Sequence, residues 1–310
     1  MTLHPQCAAF LVEAAKENLP DISVMGAHRA RLEGHTPRDF SGPLRDDVKI
    51  STRYITTETA DIVINIYQPP GEGPFNGMVY YHGGGWVLNF INKYDAQLQD
   101  LAVLTNSIII APNYQKAPEH KFPIPFSDCY AAFTWFSDHT AEFNVNPAKI
   151  GVGGDSAGGN LASGVALKIR DVNFHPLAYQ LLIYPCNGVD FETNSYIANA
   201  NDYGLTRGGM RWLWEQYLNG SADNYNSYAV PMNANNFRDL APAVLITAEY
   251  DVLHDDGVLY TEKLRSAGVP VTYKDYSGMI HGFFNYGSAI AEGISVRSFL
   301  AESINQILQD

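Results

Sequence analysis

Residues 78–81 and 107–111 are short, unbroken apolar runs bounded by glycine, asparagine or proline. A strand wetted on one face alternates apolar and polar side chains, so an unbroken run marks a strand covered on both faces. Covering both faces takes helices on either side, and stretches of helical spacing stand at 92–105 and 126–139. Further strand-like runs lie at 49–57 and 62–68, joined by a hairpin around 58–61, and at 149–153, 179–184, 243–248 and 271–275. The alternation predicts an α/β fold with a mainly parallel sheet of about eight strands, flanked by helices and closed by an amphipathic helix at 288–308.

The 310 residues are within reach of one α/β domain, and with 46% hydrophobic and 17% charged residues a large core is expected. Two segments break the rhythm. Residues 1 to about 45 carry a helical line (Ala8, Leu11, Ala15, Leu19) followed by a Pro/Gly-bearing stretch, and about 188–230 form an aromatic-rich insertion with Trp212, Trp214 and Tyr217. Insertions beyond the carboxyl ends of sheet strands lie where α/β proteins bind ligands, so a cap is expected, although any one aromatic could equally pack the insertion down. A net charge of −13 sets the chain against phosphate backbones and anionic membranes, so neither nucleic acid nor a stable membrane association is expected. With no apolar run of spanning length and no signal-peptide pattern at Met1–Gln6, a cytoplasmic location is expected. Cys7, Cys129 and Cys186 show neither a disulfide framework nor metal-ligand spacing, and read as reduced, half-buried thiols; no metal or cofactor is expected.

Gly154-Asp155-Ser156-Ala157-Gly158 matches G-x-S-x-G. The pattern alone is weak, but it follows the strand at 149–153 and precedes helical spacing at 160–170. A serine on a strand-to-helix elbow is held in a strained conformation that its flanking glycines permit, with Oγ exposed and a helix N-terminus beside developing negative charge. The plain alternative is a glycine-rich turn with a capping serine. His82-Gly83-Gly84-Gly85 follows the third strand; acyl transfer builds an oxyanion that needs unobstructed backbone N–H groups, and Gly83, Gly84 and Ala157 are the expected donors. The rival reading, a phosphate cradle, lacks its motif: there is no G-x-x-x-x-G-K-[ST], and the approach to G-x-G-x-x-G from Gly151 ends on Ser156.

A serine hydroxyl needs an imidazole to take its proton, and the imidazole needs a carboxylate to hold its tautomer. In elbow enzymes the order along the chain is serine, acid, histidine. Of nine histidines, His175, His254 and His281 follow Ser156. His175 precedes a strand, His254 opens a helix beside the acid, and His281 follows the final strand, where a loop rises beside the elbow. Asp251 comes directly after the strand at 243–248; Glu249 is its main competitor, while Asp255 and Asp256 are expected to charge the first turn of a helix at about 255–267.

Together these residues resemble the hormone-sensitive-lipase-like branch of the α/β-hydrolases, also called family IV bacterial esterases. The resemblance rests on His82-Gly83-Gly84-Gly85-Trp86, Asn113–Pro123, Gly153–Asn160, Leu182-Ile183-Tyr184-Pro185, Ala248-Glu249-Tyr250-Asp251 and His281-Gly282-Phe283. It implies the α/β-hydrolase fold with a helical cap, a triad of Ser156, Asp251 and His281, oxyanion donors at Gly83, Gly84 and Ala157, short-chain acyl esters as substrates, and relatives that are often dimers. Val252 stands where relatives usually have proline, and Gln115-Lys116 where they have Arg-Leu. Two alternatives stay open on the same scaffold: an arylformamidase-like amide hydrolase, because Trp86 follows the glycines, and a small-molecule receptor like the plant gibberellin receptors, which lack the histidine present here as His281.

Overall fold

Strands buried on both faces dominate the computed structural model, which describes residues 2–33 and 40–309. Strands β1 (Lys49–Thr56), β2 (Asp61–Gln68), β3 (Phe75–Tyr81), β4 (Ser107–Pro112), β5 (Val145–Asp155), β6 (Gln180–Ile183), β7 (Ala243–Tyr250) and β8 (Val271–Ile280) form one sheet in the order β1-β2-β4-β3-β5-β6-β7-β8. Only the β1–β2 and β2–β4 pairings are antiparallel. Every residue of β4 is buried, and every residue of β3 but Asn76, as the apolar runs predict. At the edge, β1 buries Ile55 alone.

Successive side chains of a strand point to opposite faces, so the sheet divides two cores. Val79 and Tyr81 join the core built with helices α5 (Ile124–Asp138), α6 (Ala157–Val172) and α9 (His254–Ser266); Met78 and Tyr80 join the core built with α4 (Asp95–Leu104) and α10 (Glu292–Gln309). Several strands outrun the sequence reading, β3, β5 and β8 by three residues or more. Irregular pairing between Phe75 and Gly77 hides the starts of β3 and β5, and in β8 Gly278 at φ 75°, facing the register shift between Ala248 and Tyr250, hides the continuation past Asp275.

The N-terminal segment forms α1 (Pro5–Ala15), α2 (Ile22–Met25) and α3 (Ala27–Leu32), and the insertion forms α7 (Asn194–Ala198) and α8 (Arg207–Tyr217). The helical line expected to reach Leu19 stops at Ala15; Asn18 has φ 47° and Pro20 follows, and Cys7 is the buried residue of α1. The two segments meet. Thr206 Oγ1 caps α8 by accepting from Gly209 N–H (2.8 Å) and donates to Asp21 Oδ2 (2.6 Å), while Asp21 caps α2 by accepting from Ser23 N–H (2.8 Å). Residues 1 and 34–39 of the expected N-terminal cap segment lie outside the described residues. All three cysteines are free and fully buried rather than half-buried. Among the described residues, no helix is long and apolar enough to cross a membrane.

Candidate active site

β5 ends at Asp155 and α6 begins at Ala157, which leaves Ser156 alone in the turn at φ 54°, ψ −120°. Such a backbone costs a non-glycine residue about 1–3 kcal/mol and persists only where its surroundings hold it. Here Ser156 N–H donates to Ile183 C=O (2.9 Å), and Ser156 C=O accepts from Asn160 N–H (3.0 Å) and Cys186 N–H (3.4 Å). The glycines matter for space. A Cβ on Gly158 would lie 1.9 Å from the Tyr81 carbonyl oxygen, and one on Gly154 2.3 Å from the Gly158 backbone.

The parallel strands bring the distant residues to the same end of the sheet. Asp251 follows β7 and His281 follows β8. His281 Nε2 lies 3.0 Å from Ser156 Oγ, and His281 Nδ1 lies 2.6 Å from Asp251 Oδ2. Nδ1–H donating to the carboxylate leaves the Nε2 lone pair to accept the Ser156 hydroxyl. Asp251 is itself fixed: Oδ1 accepts from Leu253 N–H (2.9 Å), and its backbone C=O accepts from Asn199 Nδ2 (3.0 Å), at the end of α7. Asp251 is 1% exposed, so its charge acts on the imidazole with little screening. The Tyr184 ring stands 4.7 Å from the imidazole and limits its swing.

The competing residues are engaged elsewhere. Glu249 Oε2 accepts from Gly278 N–H (2.7 Å). His254 lies between Asp255 (3.2 Å) and Asp275 (3.4 Å), which hold its pKa up at about 9. His175 touches Phe174. Asp255 and Asp256 do open α9, but Asp256 has more than a terminal charge to account for: it is buried, burial pushes its carboxyl well above the usual range, and Oδ2 accepts from Gly188 N–H (3.0 Å).

The glycine loop requires one correction. Gly83 N–H donates to Asp155 Oδ1 at 2.9 Å, so it is not a free oxyanion donor. Among the described residues, the N–H groups of Gly84, Gly85 and Ala157 have no acceptor. Gly84 and Gly85 take φ of 109° and 60°, conformations that favour glycine. His82 braces the loop from below: it is fully buried, stacked on Tyr114 (4.3 Å), with Nδ1–H donating to Gly83 C=O (2.7 Å), and burial holds its ring neutral. From above, Trp86 lies flat against Tyr217 (4.4 Å, 2°) and 4.4 Å from Trp214, both of α8. Gly85 leaves room for Leu213, which a Cβ there would meet at 2.4 Å.

Sequence reasoning missed the partners of Asp155. Its carboxylate, 2% exposed, accepts from Tyr80 Oη (3.0 Å) and Gly83 N–H at Oδ1, and from Tyr94 Oη (3.2 Å) and Asn285 Nδ2 (3.0 Å) at Oδ2. A carboxylate ending a strand buried on both faces has to be partnered, which signals that partners exist; nothing local singles out Tyr94 or Asn285. Among the described residues, no three His, Cys, Asp or Glu side chains are placed to hold a metal ion.

Comparison with known proteins shows the family of the chain. The model of a family described as the alpha/beta hydrolase fold matches residues 78–285. Carboxylesterase NlhH of Mycobacterium tuberculosis is 36% identical over 269 residues, covering 84% of this chain and 83% of its own. An ethyl acetate hydrolase of Pseudomonas putida is 28% identical over 99% of this chain and 100% of its own. The solved structure of the ester-hydrolase EH1AB1 from the metagenome of Lake Arreo superposes with a TM-score of 0.93 at 31% identity, covering 100% of both chains. The chain belongs to the hormone-sensitive-lipase-like esterases of the α/β-hydrolase superfamily.

Proposed function

We propose that this chain hydrolyses carboxylic esters of short acyl chains through an acyl-enzyme on Ser156. The observation that carries the reading is the unbroken hydrogen-bonded line from Ser156 Oγ through His281 (3.0 Å) to the buried Asp251 (2.6 Å). Ser156 Oγ adds to the ester carbonyl as its proton passes to His281 Nε2. The oxyanion is received by the N–H groups of Gly84, Gly85 and Ala157. The C–O bond to the alcohol then breaks as His281 returns the proton to the departing oxygen, and water repeats both steps to release the acid. Asp251 keeps the imidazole in the required tautomer and stabilises the imidazolium.

The preference for short acyl chains is supported by the names of the relatives, an ethyl acetate hydrolase among them, and by the packing of Leu213 and Trp214 close over the glycine loop. Helices α2, α3, α7 and α8 are read as the cap. A series of p-nitrophenyl esters from acetate to dodecanoate tests the proposal: kcat/KM should be highest for the short members and fall towards dodecanoate. Ser156→Ala should lower kcat by at least about 10⁴-fold. Hydrolysis by Ser156→Ala at the parent rate removes the serine from the mechanism, and a maximum at dodecanoate removes the short-chain preference.

A further inference from the structure

Resting on the esterase reading, we infer that Asp155 is a positioning residue that locks the oxyanion loop and the loop carrying His281 to one buried anion. The residue touches no reacting atom; it stands one place before the nucleophile and gathers four donors from four separate parts of the chain. Tyr80 comes from the end of β3, Gly83 from the glycine loop, Tyr94 from the turn before α4, and Asn285 from the turn four residues after His281. All four are donors, which matches an ionised carboxylate with two acceptor oxygens.

The link to the histidine loop is directional. Asn285 Oδ1 accepts from Gln97 Nε2 (2.8 Å), a fully buried side chain of α4, so the Asn285 amide is oriented with Nδ2 toward Asp155. A chain of hydrogen bonds thus runs from Gln97 through Asn285 and Asp155 to the N–H of Gly83, and both halves of the catalytic apparatus hang on it. Gly83 in turn sets the peptide planes of Gly84 and Gly85. A Cβ on Gly83 would lie 2.6 Å from Asp155 Oδ2, so loop and carboxylate are in direct contact. The anion also lies near the imidazole. The groups facing His281 are Asp251 from the loop after β7, Asp155 and Ser156 from the elbow, and Tyr184 from the end of β6.

Asp155→Asn is the informative substitution because it keeps the shape. Whichever way the amide turns, its NH₂ faces either Gly83 N–H or Asn285 Nδ2, and neither can switch to accepting without breaking another bond. With p-nitrophenyl butyrate, Asp155→Asn should lose about 100-fold in kcat, the effect of misplacing oxyanion donors, with KM changed less than about threefold. The split between kcat and KM separates positioning from a purely structural role, which would move both together. Asn285→Ala should lose about tenfold in kcat with KM changed less than about threefold, and the double variant should be no worse than Asp155→Asn alone. A kcat for Asp155→Asn within threefold of the parent, or a KM raised in step with the fall in kcat, overturns the inference. Should Asp155→Asn not fold, Asn285→Ala decides: a kcat within twofold of the parent overturns it. Failure of the esterase reading itself would look different, because the parent protein would then neither hydrolyse the ester nor react with a fluorophosphonate probe.

Discussion

At the scale of single residues, the elbow depends on atoms that are missing. Gly158→Ala would set a methyl group 1.9 Å from the Tyr81 carbonyl oxygen, and backbone cannot yield as a side chain can. It should cost more than about 3 kcal/mol in urea unfolding, or prevent folding. The spacing of the glycines was legible in the sequence; their tolerance, set by the approach of β3 to the elbow, was not. His254 shows the same limit. Its position beside Asp251 is a sequence fact, but its pairing with Asp275 of β8 depends on the sheet. Its pKa is raised by the hydrogen bonds to Asp275 and Asp255, against desolvation, to about 9. A raised pKa means the folded state holds the proton more tightly, so this stabilisation is fully present below about pH 6.5 and is lost as pH rises through about 9. For a side chain about a quarter exposed, the gain is discounted to about 1–2 kcal/mol. The unfolding free energies of the parent and His254→Asn should differ by that amount at pH 6 and converge by pH 10; a constant gap across this range would contradict the pairing.

At the scale of elements, α3 ties the N-terminal segment to the glycine loop. Arg31 of α3 donates from Nε to Val87 C=O (2.8 Å) and from Nη2 to Ala117 C=O (2.7 Å), and it forks onto Glu119 with two bonds of 2.8 Å. It therefore staples the N-terminal segment to the loop that continues from Gly83-Gly84-Gly85. Glu119 records the contact, since the guanidinium holds its carboxyl down at about 2. Arg31→Ala leaves two carbonyls without their donor and should cost about 1–2 kcal/mol. It should also lower kcat/KM for butyrate, and the Glu119 carboxyl should return to the ordinary range when followed by NMR titration. Unchanged stability and kinetics would mean that the staple is incidental. Strands buried on both faces announced themselves as apolar runs, as did the amphipathic closing helix. The end of β8 past Asp275 and the start of β5 did not, because irregular pairing and a glycine at positive φ erase the period on which such reading depends. The junction between α2 and α8, built from Asp21, Thr206 and Gly209, joins segments about 185 residues apart and leaves no local signature.

At the scale of the whole molecule, parallel strand order turns three separate loops into one site. Because β5, β7 and β8 run the same way, the residues that follow them emerge on one side of the sheet, and Ser156, Asp251 and His281 meet there. That convergence was legible from motif order. Which N–H groups of the glycine loop are left without an acceptor was not legible, since the engagement of Gly83 by Asp155 depends on how closely two loops approach. The claim on which the account turns is that Ser156 becomes acylated. Rapid acid quench during the first turnovers of p-nitrophenyl butyrate, followed by peptide mass spectrometry, measures this directly. The account predicts a butyryl group on the peptide containing Ser156, formed with the burst of p-nitrophenol and absent from Ser156→Ala. A burst with the acyl group on another residue, or full turnover with Ser156 never modified, would contradict it.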